Sequence, residues 1–226
     1  MSTLLNRFTL LASFAFSAFC LQAVDKKPSG LMTDLIEHTG QTWQNGYASN
    51  LPVWQLDEAI EPLQYAAIRS SHPAFSWIVP GETGGTRQTA YRVIVADNHE
   101  DAASGRGNLW DSGVVGSDQS VAVRYAGEAL KPGKSYFWRV KTVTNTEGES
   151  EWSEVKAFRT ADRLSEYETA YYPQVKTMEF PAGITEIHPG TRLVDFGKDA
   201  FGQLVLTLAS DGTCDSVIVH LGECLE

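Results

Sequence analysis

Between residues 71 and 160, short runs rich in Val, Ile, Tyr, Phe and Trp alternate with polar positions and recur at the spacing of a β-sandwich. Residues 75–79 form the first run. Residues 89–96 form the second, with Tyr91, Val93 and Val95 on one face and Arg92 with Ile94 on the other. Residues 108–113 predict a third short element that ends in a turn, and residues 120–125 a fourth. The longest run, residues 136–143, sets Tyr136, Trp138, Val140 and Thr142 against Phe137, Arg139, Lys141 and Val143. Residues 145–149 turn the chain, and residues 155–159 close the set. No stretch sustains a helical period, so the expected fold class is all-β.

The flanks read differently. Residues 24–70 are punctuated by Pro28, Gly30, Gly40, Gly46, Pro52 and Pro62 and are expected to form a lead-in that wraps the sandwich. Within them, residues 31–36 suit an edge strand or one helical turn, and residues 56–60 a short helix stopped by Pro62. Residues 161–168 are a polar linker without apolar period. Three further strands are predicted at residues 191–196, 203–208 and 216–221, joined by residues 197–202 and 210–212. Three strands do not cover both faces of a sandwich, so Val205, Val217, Val219 and Leu221 would lack an opposing sheet. Residues 169–226 are therefore expected to be the truncated start of a second, partial β-sandwich domain.

The N-terminus changes the picture of where the protein works. Arg7 supplies a positive region, residues 8–21 an apolar run, and Ala23 a small residue for cleavage. Residues 1–23 are thus expected to be a signal peptide that delivers a secreted or periplasmic protein, since the run is too short to span a bilayer. Phe19 stands where a lipidated Cys20 would be preceded by a small residue, which favours soluble export. After cleavage Cys214 and Cys224 remain. A strand between them would hold their Cα atoms roughly 30 Å apart, too far for a disulfide unless the chain bends sharply.

Against 18 basic residues stand 28 acidic ones, for a formal charge of −10, which argues against nucleic acid or anionic lipid as partner. His38, His72, His99, His188 and His220 are scattered without metal-ligand spacing, and no GxSxG elbow accompanies them, so neither metal nor cofactor is expected. Gly84-Gly85 reads as a hairpin turn rather than a phosphate loop. Trp43, Tyr47 and Trp54 are expected to pack against the sandwich, with stacking on sugar rings as the competing reading.

The pattern Leu130-Lys131-Pro132-Gly133-Lys134-Ser135-Tyr136-Phe137-Trp138-Arg139-Val140 resembles the fibronectin type III family at its tyrosine corner, and Trp152-Ser153-Glu154 fits the same family. Pro73-Ala74-Phe75-Ser76-Trp77, the run from Arg87 to Ala96, and Leu109-Trp110-Asp111-Ser112-Gly113 together resemble the N-terminal fibronectin-like module of bacterial α-L-rhamnosidases of glycoside hydrolase family 78. Leu193-Val194-Asp195-Phe196-Gly197 through Gly202, then His220-Leu221-Gly222-Glu223, is similar to the opening of their next β-sandwich, without a rhamnose-binding module between.

The resemblance implies an inverting hydrolysis of terminal α-L-rhamnosides on a helical barrel, with a general acid and a general base. Nothing in the chain matches that barrel, so no catalytic residue is expected within it. The implied partners are the remainder of such an enzyme and, through it, a rhamnose-containing glycan of plant or microbial origin. Glu58 with Glu61, and Glu149 with Glu151 and Glu154, are acidic clusters that read as solvated surface. The residues singled out are structural: Trp77, Tyr136, Trp138, Asp195, Gly197 and Glu223, with Asp195 capping the turn after it and Glu223 pairing at a domain boundary. A stand-alone carbohydrate-binding or adhesion protein is the alternative reading.

Overall fold

Strand formation follows the aromatic and β-branched runs, whose side chains pack well on a pleated surface. The computed structural model describes residues 26–59, 61–166, 168–207, 212 and 216–222. The expected signal peptide, Cys20, Cys214, Cys224 and Glu223 lie outside the described residues. In chain order come β1 (Ser29–Thr33), β2 (Thr42–Gln44), β3 (Tyr47–Ala48), a 3-10 helix (Val53–Glu58), β4 (Gln64–Tyr65), β5 (Ala67–Ile68) and β6 (Ala74–Ile78). They are followed by β7 (Gln88–Ala96), helix α1 (His99–Ala103), β8 (Trp110–Asp111), β9 (Val123–Arg124), β10 (Ser135–Thr144), β11 (Gly148–Glu149) and β12 (Lys156–Thr160). The last two strands among the described residues are β13 (Gly183–His188) and β14 (Thr191–Asp195).

One sheet has the order β1-β6-β9, and a second runs β5-β12-β10-β7-β8 with β11 paired to β10. In the antiparallel β7–β10 pair, Val95 faces Trp138, Val93 faces Val140, and Tyr91 faces Thr142. The alternating set of β10 therefore lands on one face with that of β7. It meets Leu31, Phe75, Trp77 and Val123 from the other sheet in a single core that also holds Tyr136 and Phe158. Trp138 lies at the centre, fully buried and stacked on Phe75 at 4.5 Å between ring centroids.

The outer face of the larger sheet is covered as well. Ala96, Phe137 and Ala157 pack against Val53 of the 3-10 helix and Ala102 of α1 in a second cluster. That layer explains why Phe137 is buried although its alternation places it opposite the core set. Helix α1 starts where the Asn98 side chain accepts a hydrogen bond from Asp101 N at 2.8 Å, satisfying one of the free amides of the first turn. At five residues it is too short to leave a helical period in the sequence.

Several boundaries differ from those expected. Residues 24–70 are woven into the sandwich: β1 is an edge strand of the first sheet, antiparallel to β6, and β5 pairs in parallel with β12. A turn follows β1, in which Asp34 and Leu35 have φ of 48° and 64° and Thr33 and Ile36 exchange both backbone bonds at 3.0 Å, the pattern of a type I′ turn. Asp34 Oδ1 also accepts from Ala74 N at 2.8 Å, and burial raises its carboxyl pKa. The helix expected at residues 56–60 is the 3-10 turn at Val53–Glu58, which begins after Pro52. Gly84-Gly85 lies on a connection between β6 and β7, which belong to different sheets, so it is an inter-sheet loop and not a hairpin.

The expected linker is tied to the sandwich rather than free. Ala161 N bonds to Ile68 O at 2.8 Å, Ser165 N to Arg69 O at 2.9 Å, and Glu166 accepts from the Ser71 amide and hydroxyl. The described chain divides instead between Val175 and Lys176. Past that point β13 and β14 form an antiparallel hairpin. β14 matches the first strand expected there, whereas residues 203–207 and 216–221 form no strand. Alternating apolar residues make a strand only when a neighbouring backbone takes up their amides and carbonyls. Phe180, Ile184, Phe201 and Ile218 in this unit are exposed.

Candidate functional site

Tyr136 opens β10, and its ring is carried into the core by the alternation of that strand. Its hydroxyl accepts a hydrogen bond from Lys131 N at 2.8 Å. The side chain of Tyr136 thereby closes on the loop that Pro132 and Gly133 turn, with Gly133 at φ 63° where a Cβ would be strained. Thr160, fully buried on β12, donates to Lys131 O at 2.7 Å and accepts from Lys134 N at 3.0 Å. One loop is thus anchored by two strands. Burial raises the Tyr136 phenol pKa, partly offset by the Lys131 amide. Replacing Tyr136 by Phe keeps the ring and orphans the Lys131 amide, and is expected to lower the unfolding free energy by about 1–3 kcal/mol. Denaturant unfolding checks this, and an unchanged midpoint would show that the corner carries no stability.

The two tryptophans each join the sheets by a polar handle. Trp77 Nε1 donates to Gln88 Oε1 at 2.9 Å, and the Gln88 amide donates to Ser117 O at 3.1 Å and Gln119 O at 2.8 Å. Trp138 Nε1 donates to Thr33 Oγ1 at 3.0 Å, so the first strand is held by a residue 105 positions away. On the solvent side of the larger sheet, Arg92 Cζ, Arg139 Cζ and Lys141 Nζ lie 5.7, 5.8 and 5.4 Å from the Trp152 ring, a distance at which a cation is drawn to the π face. Arg92 also forms two hydrogen bonds with Asp111, of 2.9 and 2.6 Å, which hold the Asp111 carboxyl pKa below its usual value. Ser153 next to it bonds Val140 through both its amide and its hydroxyl. Trp152-Ser153 was visible in the sequence, but its three cations come from two strands. Only the pairing of Lys141 opposite Arg92 brings them together.

The other residues singled out from the sequence are local. Asp195 ends β14, and its Oδ1 accepts from Gly197 N at 2.7 Å, with Gly197 at φ 71°. Trp43 is buried edge-on to Tyr172 at 5.2 Å, while Trp54 leans on Phe137 at 5.6 Å and stays 41% exposed. Tyr47 is exposed and adjoins no other aromatic ring among the described residues. Of the acidic clusters, Glu149 pairs with Lys141 and Glu154 with Lys27, each at the surface. Among the described residues no group of three or more His, Cys, Asp or Glu is placed to hold a metal ion. No helix of the described residues is long and apolar enough to cross a membrane.

Fold and contacts define a β-sandwich module of the immunoglobulin and fibronectin kind, whose distinctive side chains tie sheets and loops together. Residues 60–162 match the family described as Rha78A-like, N-terminal immunoglobulin domain. The chain is 38% identical over 93 residues to an α-L-rhamnosidase of Formosa agariphila, which covers 41% of this chain and 10% of the relative. With an α-L-rhamnosidase of Streptomyces avermitilis it shares 45% identity over 84 residues, covering 37% of this chain and 8% of the relative. It thus spans about a tenth of the length of the curated relatives it matches. Among solved structures, an α-L-rhamnosidase from Dictyoglumus thermophilum aligns with a TM-score of 0.46 and 27% identity over 62% of this chain and 13% of that one. The Streptomyces avermitilis α-L-rhamnosidase complexed with L-rhamnose aligns with a TM-score of 0.39 and 41% identity over 42% of this chain and 9% of that one.

Proposed function

We propose that this chain serves as a non-catalytic part of an exported α-L-rhamnosidase-like glycoside hydrolase, its sandwich acting as a rigid module that orients a catalytic domain. The observation that carries this reading is the coincidence of the family match, residues 60–162, with the segment holding most of the sandwich core. Trp77, Tyr136, Trp138 and Trp152 are engaged in structural contacts, and a module so braced suits the holding of a neighbouring domain in register. Hydrolysis of a rhamnose-containing glycan would then belong to an acid and base pair on another domain. Export follows from the signal-like N-terminus.

The test is a domain exchange in the Streptomyces avermitilis relative. Replacing its matching segment with the sandwich of this chain is expected to give folded, active rhamnosidase, whereas deleting that segment should cost soluble yield and activity. Full activity after deletion would overturn the orienting role. The isolated chain is expected to hydrolyse no aryl α-L-rhamnoside above background, and turnover that follows the protein through two orthogonal purification steps would overturn its non-catalytic assignment.

A further inference from the structure

We infer that the sandwich carries, around β5, a cleft that binds a neutral saccharide unit. Residues 65, 67 and 69 alternate onto one face of an extended segment. Ala67 exchanges both backbone hydrogen bonds with Tyr171, at 2.8 and 3.0 Å, so the two are directly opposed. Side chains of such an antiparallel pair share a face. Small Ala67 therefore leaves a floor between walls made by Tyr65, Arg69 and Tyr171, and residues 161–163 with Glu168 complete a cleft of about 480 Å³.

The lining has the chemistry of sugar recognition. Tyr171 is half exposed, and Tyr65 is braced from behind by Arg159, whose guanidinium lies 5.9 Å from the ring and pairs with Asp57 at 3.0 Å. Two phenol rings offer flat apolar faces for the C–H side of a pyranose. Glu168 bridges Arg69 and Arg163, and Asp162 adds a carboxylate that carries no hydrogen bond or ion pair among the described residues. Planar carboxylates and guanidinium groups bond neighbouring hydroxyls in pairs. Two arginines against two carboxylates leave no net charge to select an ion, which points to a neutral ligand. The volume falls within the roughly 300–1,000 Å³ of small-molecule sites and suits one or two sugar rings. Binding here is separate from the orienting role and stands or falls independently of it.

The experiment is a heteronuclear NMR titration of the full chain with methyl α-L-rhamnopyranoside and methyl α-D-glucopyranoside, with glucuronate as the charged control. Saturable shifts confined to residues around Ala67 and Tyr171 are expected with at least one neutral glycoside. Ala67→Leu, which fills the floor, and Arg163→Ala, whose side chain is 86% exposed and outside the core, should each weaken binding about tenfold. Melting of both variants is followed in parallel, and if Ala67→Leu proves unstable, Arg163→Ala decides. Absence of saturable shifts with both glycosides, tighter binding of glucuronate, or unaltered binding in a folded Ala67→Leu or Arg163→Ala variant would overturn the site, whatever the outcome of the domain exchange.

Discussion

Trp138→Ala is expected to lower the unfolding free energy by about 3–5 kcal/mol, enough to leave a marginal domain largely unfolded. The residue is fully buried, and its ring stacks on Phe75 between the two sheets. Truncation removes that packing, opens a cavity that neighbouring Val and Phe side chains on rigid strands fill only in part, and orphans the Thr33 hydroxyl. Trp138→Phe separates these effects, because it retains part of the stack and loses the hydrogen bond, and should cost about 1–3 kcal/mol. Denaturant unfolding of both variants provides the measurement. A loss under about 1 kcal/mol for the alanine variant would mean that the two sheets do not pack through this residue.

Gln88→Leu should cost about 2–4 kcal/mol although it keeps side-chain volume. Gln88 is buried at the start of β7, accepts from Trp77 Nε1 and donates to Ser117 O and Gln119 O. Leucine leaves the indole N–H in an apolar core without a partner, and this donor dominates because Gln119 is exposed and Ser117 only half-buried, while Trp77 is buried. The double variant Trp77→Phe with Gln88→Leu removes donor and acceptor together, so its cost should fall below the sum of the single changes. Additive costs would show that the bond contributes nothing beyond the packing of each side chain.

The long sandwich strands were legible because they carry β-branched or aromatic residues at every second position. β7 and β10 were marked by Tyr91, Val93 and Val95 and by Tyr136, Trp138 and Val140. The tyrosine corner was equally legible, since a Tyr six residues after Leu130 and just past Pro132-Gly133 has one short loop within reach of its hydroxyl. Partners far apart in sequence were hidden. β1 has a weak apolar pattern, and nothing local reveals that β6 will pair with it or that Trp138 will donate to Thr33. The cleft around Ala67 was hidden for the same reason, because its lining comes from residues between 63 and 69 and from residues 161–163, 168 and 171.

The sequence by itself determined the all-β class, the inward set of each long strand, and the loop that Tyr136 closes. These depend on side-chain alternation and on contacts within a few residues, which linear order specifies. Tertiary structure alone decided that residues 29–33 and 67–68 are sandwich strands, that residues 203–207 and 216–221 are not strands, and that Arg92, Arg139 and Lys141 surround Trp152. The physical reason is that a strand is completed by hydrogen bonds to another segment, so its existence depends on a partner whose distance along the chain no local pattern encodes.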